Sequence, residues 1–414
     1  MMKKLLTHSL SDNRIAVLGS LCIFLSAIEY LFPKPLPFMR LGLANLPLLL
    51  ALEILDVPSF FILVALKVVG QAMVNGSLAS YVFIFSLCGS TASAVIMLLF
   101  YKTLKDRITF VGISVAGSLA SNIVQILLSI VFIFGEASWK ILPAFLFVGI
   151  LSGFFMGLFA QYFSQKSIWW QSFSGKTGID KNNSLSILEN EDSLDFKDAE
   201  KGSAKRVDYI GRIISPQLRF LIAIIIIPAF LYIKVPLAKA FVILIFFIIT
   251  YLSGRKIRFL SYFILVLFVT VFNLFVPAGK VLLSIYSFRI TSGALESGVI
   301  KGMTLVGLML ISFFSVAKDL RLPGRFGRLL SKTFLYLEKL FEYKGKLNPG
   351  NPVGSLDFML VKVFSEDVAV FGNYSDKEKK FNLSPKLSSM FYFVAISITV
   401  WGIFFFQELF DFIS

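Results

Sequence analysis

The chain has 414 residues, of which 57% are hydrophobic, and its formal net charge is +15. Its mean hydropathy of +0.80 excludes a soluble globular domain, and its single histidine, His8, argues against a histidine-based metal site or a Ser–His–Asp relay. We predict an all-α, polytopic membrane protein with no metal, no cofactor and no nucleic-acid partner. The positive charge is typical of cytoplasmic loops, where Lys and Arg collect.

The first predicted domain covers residues 1–164 and contains six apolar runs. They lie at about 15–32, 41–56, 59–75, 79–100, 109–134 and 141–163. About 20 apolar residues suffice for a helix to cross a bilayer. Basic residues precede the first run and separate the fourth from the fifth. The charge rule therefore predicts a multi-pass protein of the cell membrane with a cytoplasmic N-terminus.

Polar side chains inside two of these runs are candidates for a binding site, because such residues are costly in a membrane. Lys67, Gln71 and Asn75 are spaced by four and share one face of a helix. Asn122 and Gln125 lie three residues apart in the fifth run. One interpretation is a polar pocket for a small ligand. The other is a set of hydrogen bonds that holds the helices together.

A polar segment, residues 165–214, follows the first domain, and its composition predicts a largely disordered cytoplasmic linker. Trp169 and Trp170, near its start, are predicted to lie at the membrane interface. The second domain, residues 215–414, has apolar runs at about 218–234, 239–253, 259–276, 294–317 and 389–408, with a possible interfacial element at 281–289. Its stretch at about 318–386 is polar and predicts basic amphipathic helices on the cytoplasmic side.

The first domain resembles a known family through an ordered series of motifs. They are RLGLAN at 40–45, GS at 76–77, FSLCG at 85–89 and VAGSLASNIVQ at 115–125. This series is similar to the Gx transporter family, also labelled heptaprenyl diphosphate synthase component I. That family resembles the six-helix substrate-binding (S) component of energy-coupling-factor (ECF) vitamin transporters. Lys67 stands where an Arg is common, which keeps the cation but loses the planar fork.

The second domain is similar to the transmembrane (T) component of ECF transporters. The resemblance is carried by the small-residue sequence ITSGALESGVIKGMTLVGL at 290–308 and by the basic helices that follow it. In that family a small–Arg–small motif on the coupling helices contacts ABC-type ATPase subunits, and the nearest equivalents here are centred on Arg325 and Arg328. Neither has the usual Ala-Arg-Gly form. The alternative for both arginines is binding of lipid phosphates.

The two resemblances together imply a fusion of S and T components, a subunit of an ATP-driven importer for vitamin uptake or a similar nutrient. Its substrate is expected to bind among Lys67, Gln71, Asn75, Asn122 and Gln125. The chain has no ATP-binding cassette and no DDxxD cluster, so we expect no ATPase or prenyltransferase activity of its own. Two alternatives remain open: a non-transporting subunit for isoprenoid, quinone or flavin-linked electron-transfer chemistry performed by partners, and a membrane scaffold without a ligand.

Overall fold

The computed structural model describes residues 2–29, 42–78, 80–175, 210, 213–253, 259–285, 288–315, 324–343, 345, 348, 350–365 and 387–413. The protein is an all-α, multi-pass membrane protein with one small β-hairpin. Among the described helices, six are long and apolar enough to cross a membrane: residues 57–74, 81–104, 110–132, 135–166, 292–315 and 389–407.

The N-terminal module is a helical bundle whose connections are short. Its helices are α1 (Met2–Glu29), α2 (Leu46–Ala51), α3 (Val57–Val74), α4 (Tyr81–Leu104), α5 (Phe110–Phe132) and α6 (Ser138–Lys166). Local signals fix several starts: α3 begins after Asp56 with a proline in its first turn, and the Thr109 hydroxyl accepts from the backbone N–H of Gly112 at the start of α5.

The prediction of one helix over 41–56 is wrong. Gly42 has a left-handed backbone with φ of 85°, and a 3-10 turn, Leu43–Asn45, follows it. The six-residue helix α2 then begins with Leu46 and Pro47, and three residues in turn conformation come after it. This segment is buried but too short to cross a bilayer, which takes about 20 residues.

The C-terminal module contains α8 (Pro216–Tyr232), α9 (Pro236–Leu252), α10 (Phe259–Asn273), α11 (Ser292–Ser315) and α14 (Leu387–Ile413). Between α10 and α11 lies an antiparallel hairpin of β1 (Val281–Ile285) and β2 (Phe288–Thr291). The hairpin occupies the position of the predicted interfacial element at 281–289. Of the region at 318–386, the structure describes α12 (Gly324–Glu342) and α13 (Pro352–Ser365), whereas 316–323 and 366–386 lie outside the described residues.

The first part of the predicted disordered linker is helical instead. Helix α7 (Ile168–Ser174) follows α6 directly, and Trp169 and Trp170 are 6% and 0% exposed. Asp357 of α13 accepts from the backbone N–H groups of Ile168 (3.1 Å) and Trp169 (3.0 Å). The tryptophans are therefore core residues, and their position at the membrane interface stays a prediction. Residues 176–209 of the linker lie outside the described part of the chain.

The two modules share both hydrophobic cores. In the first core, α1, α2 and α3 pack with α7, α12 and α13. In the second, the ends of α4, α5 and α6 pack with α8 to α11 and α14. The N-terminal module is thus held at two places by the C-terminal one.

One end of the N-terminal bundle contacts both ends of α11. Ser312, near the C-terminal end of α11, donates to the Gly76 carbonyl oxygen (2.7 Å). At the other end, where Gly293 N–H donates to the Ala278 carbonyl (3.1 Å), Lys140 donates to the Phe275 carbonyl oxygen (2.8 Å). Gly76, in the loop after α3, and Lys140, in the first turn of α6, lie at the same end of the bundle. In contrast, α11 has 24 residues and a length of about 36 Å. A bundle parallel to α11 would reach only one of its ends, so the N-terminal helices cross α11.

Candidate functional site

A polar cavity lies inside the N-terminal module, between the end of α1, the 3-10 turn, α3, α4, α5 and α6. Its volume is about 40 Å³. Since one water needs roughly 10–15 Å³ by this measure, the cavity has room for a few waters in this conformation. Its lining is Glu29, Gly42, Ala44, Asn45, Lys67, Gln71, Ser86, Ser90, Ser114, Ser118, Ser121, Asn122, Gln125, Ser152, Gly153 and Met156.

The structure brings together four of the five predicted binding residues. Lys67 and Gln71 of α3 lie across the cavity from Asn122 and Gln125 of α5. Asn75 does not join them: α3 ends at Val74, and Asn75 is its C-cap, with its backbone N–H donating to the Gln71 carbonyl (3.0 Å). Asn75 keeps a helical backbone, but it lies one turn beyond Gln71 and does not line the cavity.

The cavity contains two ionisable groups of opposite charge. Lys67 and Glu29 are each 3% exposed, and both line it. The Lys67 ammonium donates to Asn45 Oδ1. Glu29 Oε2 accepts from the backbone N–H of Leu43 (3.2 Å), which attaches the 3-10 turn to the end of α1. Thus Lys67 and Glu29 each contact the same short turn, and that turn forms one wall of the cavity.

The polar side chains of α5 divide between helix packing and the cavity. Asn122 Nδ2 donates to the Phe145 carbonyl oxygen (2.8 Å), and Ser118 Oγ donates to that of Gly149 (2.6 Å). These bonds join α5 to α6, as the packing interpretation expects. Gln125 Nε2 donates to Ser121 Oγ (2.9 Å), but its buried Oε1 has no partner among the described residues. A buried amide oxygen without a donor costs about 1–3 kcal/mol, so Gln125 is suited to accept a hydrogen bond from a ligand.

A glycine stripe on α6 lets α5 approach closely. Gly149, Gly153 and Gly157 recur every four residues and are buried. An ideal Cβ on Gly153 would lie 2.9 Å from the Cα of Val115, closer than real side chains allow. The short distance between the two backbones is what lets side chains of α5 reach the α6 carbonyls.

Sequence reasoning missed much of the lining. Asn45 belongs to the RLGLAN motif but was not predicted as a binding residue, and neither were the serines of α4 and α5. Ser86 and Ser90, like Ser114 and Ser118, are spaced by four on one helix face, and both pairs line the cavity. This four-residue spacing was the sequence signal that could have identified the serines as lining residues. Ser86 Oγ is a second buried polar atom without a partner among the described residues.

The comparisons with known proteins concern each module separately. Residues 18–163 match the model of the family described as heptaprenyl diphosphate synthase component I. The match covers nearly all of the N-terminal module. Residues 215–317 match the model of a domain of unknown function. No curated protein and no solved structure matches the chain.

The match to the component I family confirms the resemblance stated for the N-terminal domain and includes the cavity residues Lys67, Gln71, Asn122 and Gln125. The family's description names one component of a synthase with several subunits. The resemblance of the second domain to T components stays a prediction. In the described part of the chain, no three Asp, Glu, His or Cys side chains are grouped closely enough to hold a metal ion.

The two predicted coupling arginines lie on α12, which has two different faces. Its buried residues are Gly327, Leu329, Leu330, Thr333, Tyr336, Leu337 and Leu340. They pack on α1 and α3: the rings of Phe24 and Phe341 are 5.5 Å apart, for example. The opposite face is exposed and carries Arg325 and Arg328. Arg325 also forms an ion pair with Asp12 of α1 (2.8 Å).

Proposed function

We propose that the protein is the membrane subunit of an ECF-type, ATP-driven importer, in which a substrate-binding module and an energy-coupling scaffold are fused in one chain. The substrate is a small polar nutrient or cofactor that binds in the cavity. The chain itself performs no catalysis, and separate ABC-type ATPase subunits on the cytoplasmic side supply the energy. Fusion raises the effective concentration of one module around the other.

The observation that carries the proposal is that α12 packs on the binding module with one face and exposes basic residues on the other. Gly70 of α3 lies between Lys67 and Gln71 in sequence, and an ideal Cβ on it would be 3.6 Å from Leu330 Cδ1. Thus α3 contacts α12 with one face and lines the cavity with another. A movement of α12, driven through Arg325 and Arg328, would reach the cavity through a single helix.

The orientation follows from charge. The ion pair between Arg325 and Asp12 places the start of α12 beside the N-terminal part of α1. The loop after α4, with the exposed Lys105 and Arg107, lies at the same end of the bundle. Excess Lys and Arg favour the cytoplasmic side. We therefore assign the N-terminus and the exposed face of α12 to the cytoplasmic side of the membrane.

Transport requires the cavity to change size. Sites for drug-sized ligands measure about 300–1,000 Å³, whereas this one measures about 40 Å³. The 3-10 turn and α12 both contact elements that line the cavity, so either could widen it by moving. The opposite charges of Lys67 and Glu29 and the acceptor on Gln125 favour a ligand with several polar groups.

The test is a charge reversal on the exposed face of α12. Arg325→Glu with Arg328→Glu replaces two positive charges by two negative ones at exposed positions. The fold should tolerate the change, because the pair of Arg325 with Asp12 that it removes is itself exposed to solvent. Like-charge contact across an interface costs several kcal/mol, and we expect ATPase subunits that co-purify from native membranes to fall at least about tenfold. The matched control, Lys105→Glu with Arg107→Glu, makes the same charge change elsewhere on the same side and should retain them.

The proteins that co-purify also distinguish the importer from a second candidate function. The component I match of residues 18–163 favours a non-transporting subunit that assists isoprenoid or quinone chemistry performed by a partner. Under that alternative, prenyl-synthase or flavin-carrying proteins co-purify with the wild-type chain, ATPase subunits do not, and the charge reversal on α12 leaves activity intact.

A further inference from the structure

Two lysines within the membrane helices of the C-terminal module have no role in the proposed transport mechanism. Lys239 lies in the first turn of α9 and is 3% exposed. Lys301 lies within α11 and is half-buried. A cation inside a bilayer is costly, by about 2.5–3.5 kcal/mol at the centre of a helix on insertion scales, and such residues mark sites by default.

Both lysines are bound to neutral acceptors. Lys239 Nζ donates to Thr304 Oγ1 (2.7 Å) and lies 5.8 Å from the centre of the Phe230 ring. Lys301 Nζ donates to Asn273 Oδ1 (2.9 Å). No carboxylate among the described residues forms an ion pair with either lysine. Each ammonium has three N–H donors, so both retain charge and donors that the described side chains leave unused.

The two lysines border the same gap between helices. Gly298 and Gly302 of α11 face α10, since an ideal Cβ on Gly302 would lie 3.0 Å from the Cα of Val266. Thr304 faces α9 through its bond with Lys239. At about 100° per residue, Lys301 falls between these two faces of α11.

This gap is at the outer ends of α9 and α10 in the orientation assigned above. Asn273 is the last residue of α10 and Lys239 is in the first turn of α9, and their partners Lys301 and Thr304 lie near the middle of α11. The neighbouring faces of α9 and α10 expose large apolar side chains such as Phe241 and Phe263. An occupant of the gap would thus meet cations and lipid-facing apolar surface together.

We propose that Lys239 and Lys301 form a binding site for a phosphate group, the headgroup phosphate of an anionic lipid or a free phosphate ion. Removing one partner from a buried charge pair is strongly destabilising, and an anion here would supply the missing partner for both ammonium groups. The remaining N–H groups of both ammonium groups would donate charge-assisted hydrogen bonds to the phosphate oxygens. Thr304 and Asn273 fix the direction of the two side chains.

The experiment uses the full-length protein in nanodiscs that contain phosphatidylglycerol and phosphatidylcholine in equal amounts. After detergent extraction, native mass spectrometry counts the lipids retained. We expect the wild type to retain phosphatidylglycerol preferentially, and Lys239→Met with Lys301→Met to lose at least about tenfold of that preference, since hydrogen bonds to charged groups contribute roughly 1.5–3 kcal/mol. The control, Lys234→Met with Lys280→Met, removes two exposed lysines at the same end and should behave as wild type.

A second arm distinguishes the source of the phosphate. Delipidated protein is titrated with inorganic phosphate: saturable binding without lipid retention assigns the site to the free ion, and lipid retention that phosphate does not displace assigns it to the lipid. A charge-keeping variant, Lys239→Arg with Lys301→Arg, guards against misfolding and should retain binding. Equal retention of both lipids by all variants together with no phosphate binding would overturn the proposal.

Discussion

A single methyl group on α6 should test how closely α5 and α6 of the N-terminal module approach each other. An ideal Cβ on Gly157 would lie 2.4 Å from the Cα of Val111 and 3.0 Å from the Phe110 carbonyl oxygen. These are backbone atoms and cannot rotate away. Carbon atoms in good contact are about 3.5–4.0 Å apart, so Gly157→Ala should push α5 and α6 apart by roughly 1 Å.

The expected cost follows from two opposing terms. Overpacking of a tight contact costs about 1–3 kcal/mol. Replacing glycine by alanine within a helix gains about 0.8–1.0 kcal/mol from backbone propensity alone. Gly402 of α14 supplies the control, because an ideal Cβ there meets nothing within 4 Å. Gly402→Ala should therefore show the gain without the clash.

The assay is unfolding of both variants in mixed micelles of rising SDS content, followed by tryptophan fluorescence. We expect the free energy of unfolding of Gly157→Ala to fall below that of Gly402→Ala by about 1–3 kcal/mol. Equal or greater stability of Gly157→Ala would refute the close approach. It would also remove the reason that α5 side chains can bond to α6 carbonyls beside the cavity.

Three further predictions concern single side chains. Asp357→Asn removes the charged acceptor at the start of α7, so limited trypsin digestion should cleave faster after Lys166 than in the wild type. Asp12→Ala should change the free energy of unfolding by no more than about 1 kcal/mol, because its pair with Arg325 is half exposed to solvent. Maleimide should leave Cys22 unlabelled in the folded protein, since it is fully buried. Any label should be found on Cys88, which is part-exposed.

The positions of the spanning helices could be predicted from the sequence because each is a long apolar run. The run predicted at 294–317 corresponds to the helix Ser292–Ser315, and the run predicted at 59–75 corresponds to the helix Val57–Val74. The segment at 41–56 is equally apolar, yet it forms only a short helix. Its backbone is set by the left-handed Gly42 and the turn after it, and hydropathy does not record such a conformation.

The binding site was predictable only where its residues share a helix. The spacing of Lys67 and Gln71 identified one wall, and Asn122 with Gln125 identified another. Glu29 and Asn45 join them from distant parts of the chain, and no spacing relates them to Lys67. Asn75 was assigned to the site by the same spacing, but the cavity ends one turn before it, and spacing along a helix does not show where a cavity ends.

The crossing of the N-terminal bundle over α11 can be tested with two cysteine pairs in a background without native cysteines. One pair, Gly76→Cys with Ser312→Cys, bridges the bundle to the C-terminal end of α11. The other, Lys140→Cys with Phe275→Cys, bridges the same end of the bundle to the opposite end of α11. Ser312 and Phe275 lie near opposite ends of α11, so links from one end of the bundle to both can form only if the bundle lies across the helix. The first pair should form a disulfide on mild oxidation, because the serine side chain already reaches the Gly76 backbone and a disulfide needs Cα atoms within about 7 Å. The second pair replaces a contact made through the full length of a lysine, so we expect a short bifunctional maleimide to join it. If only one pair is joined, the N-terminal helices do not cross α11.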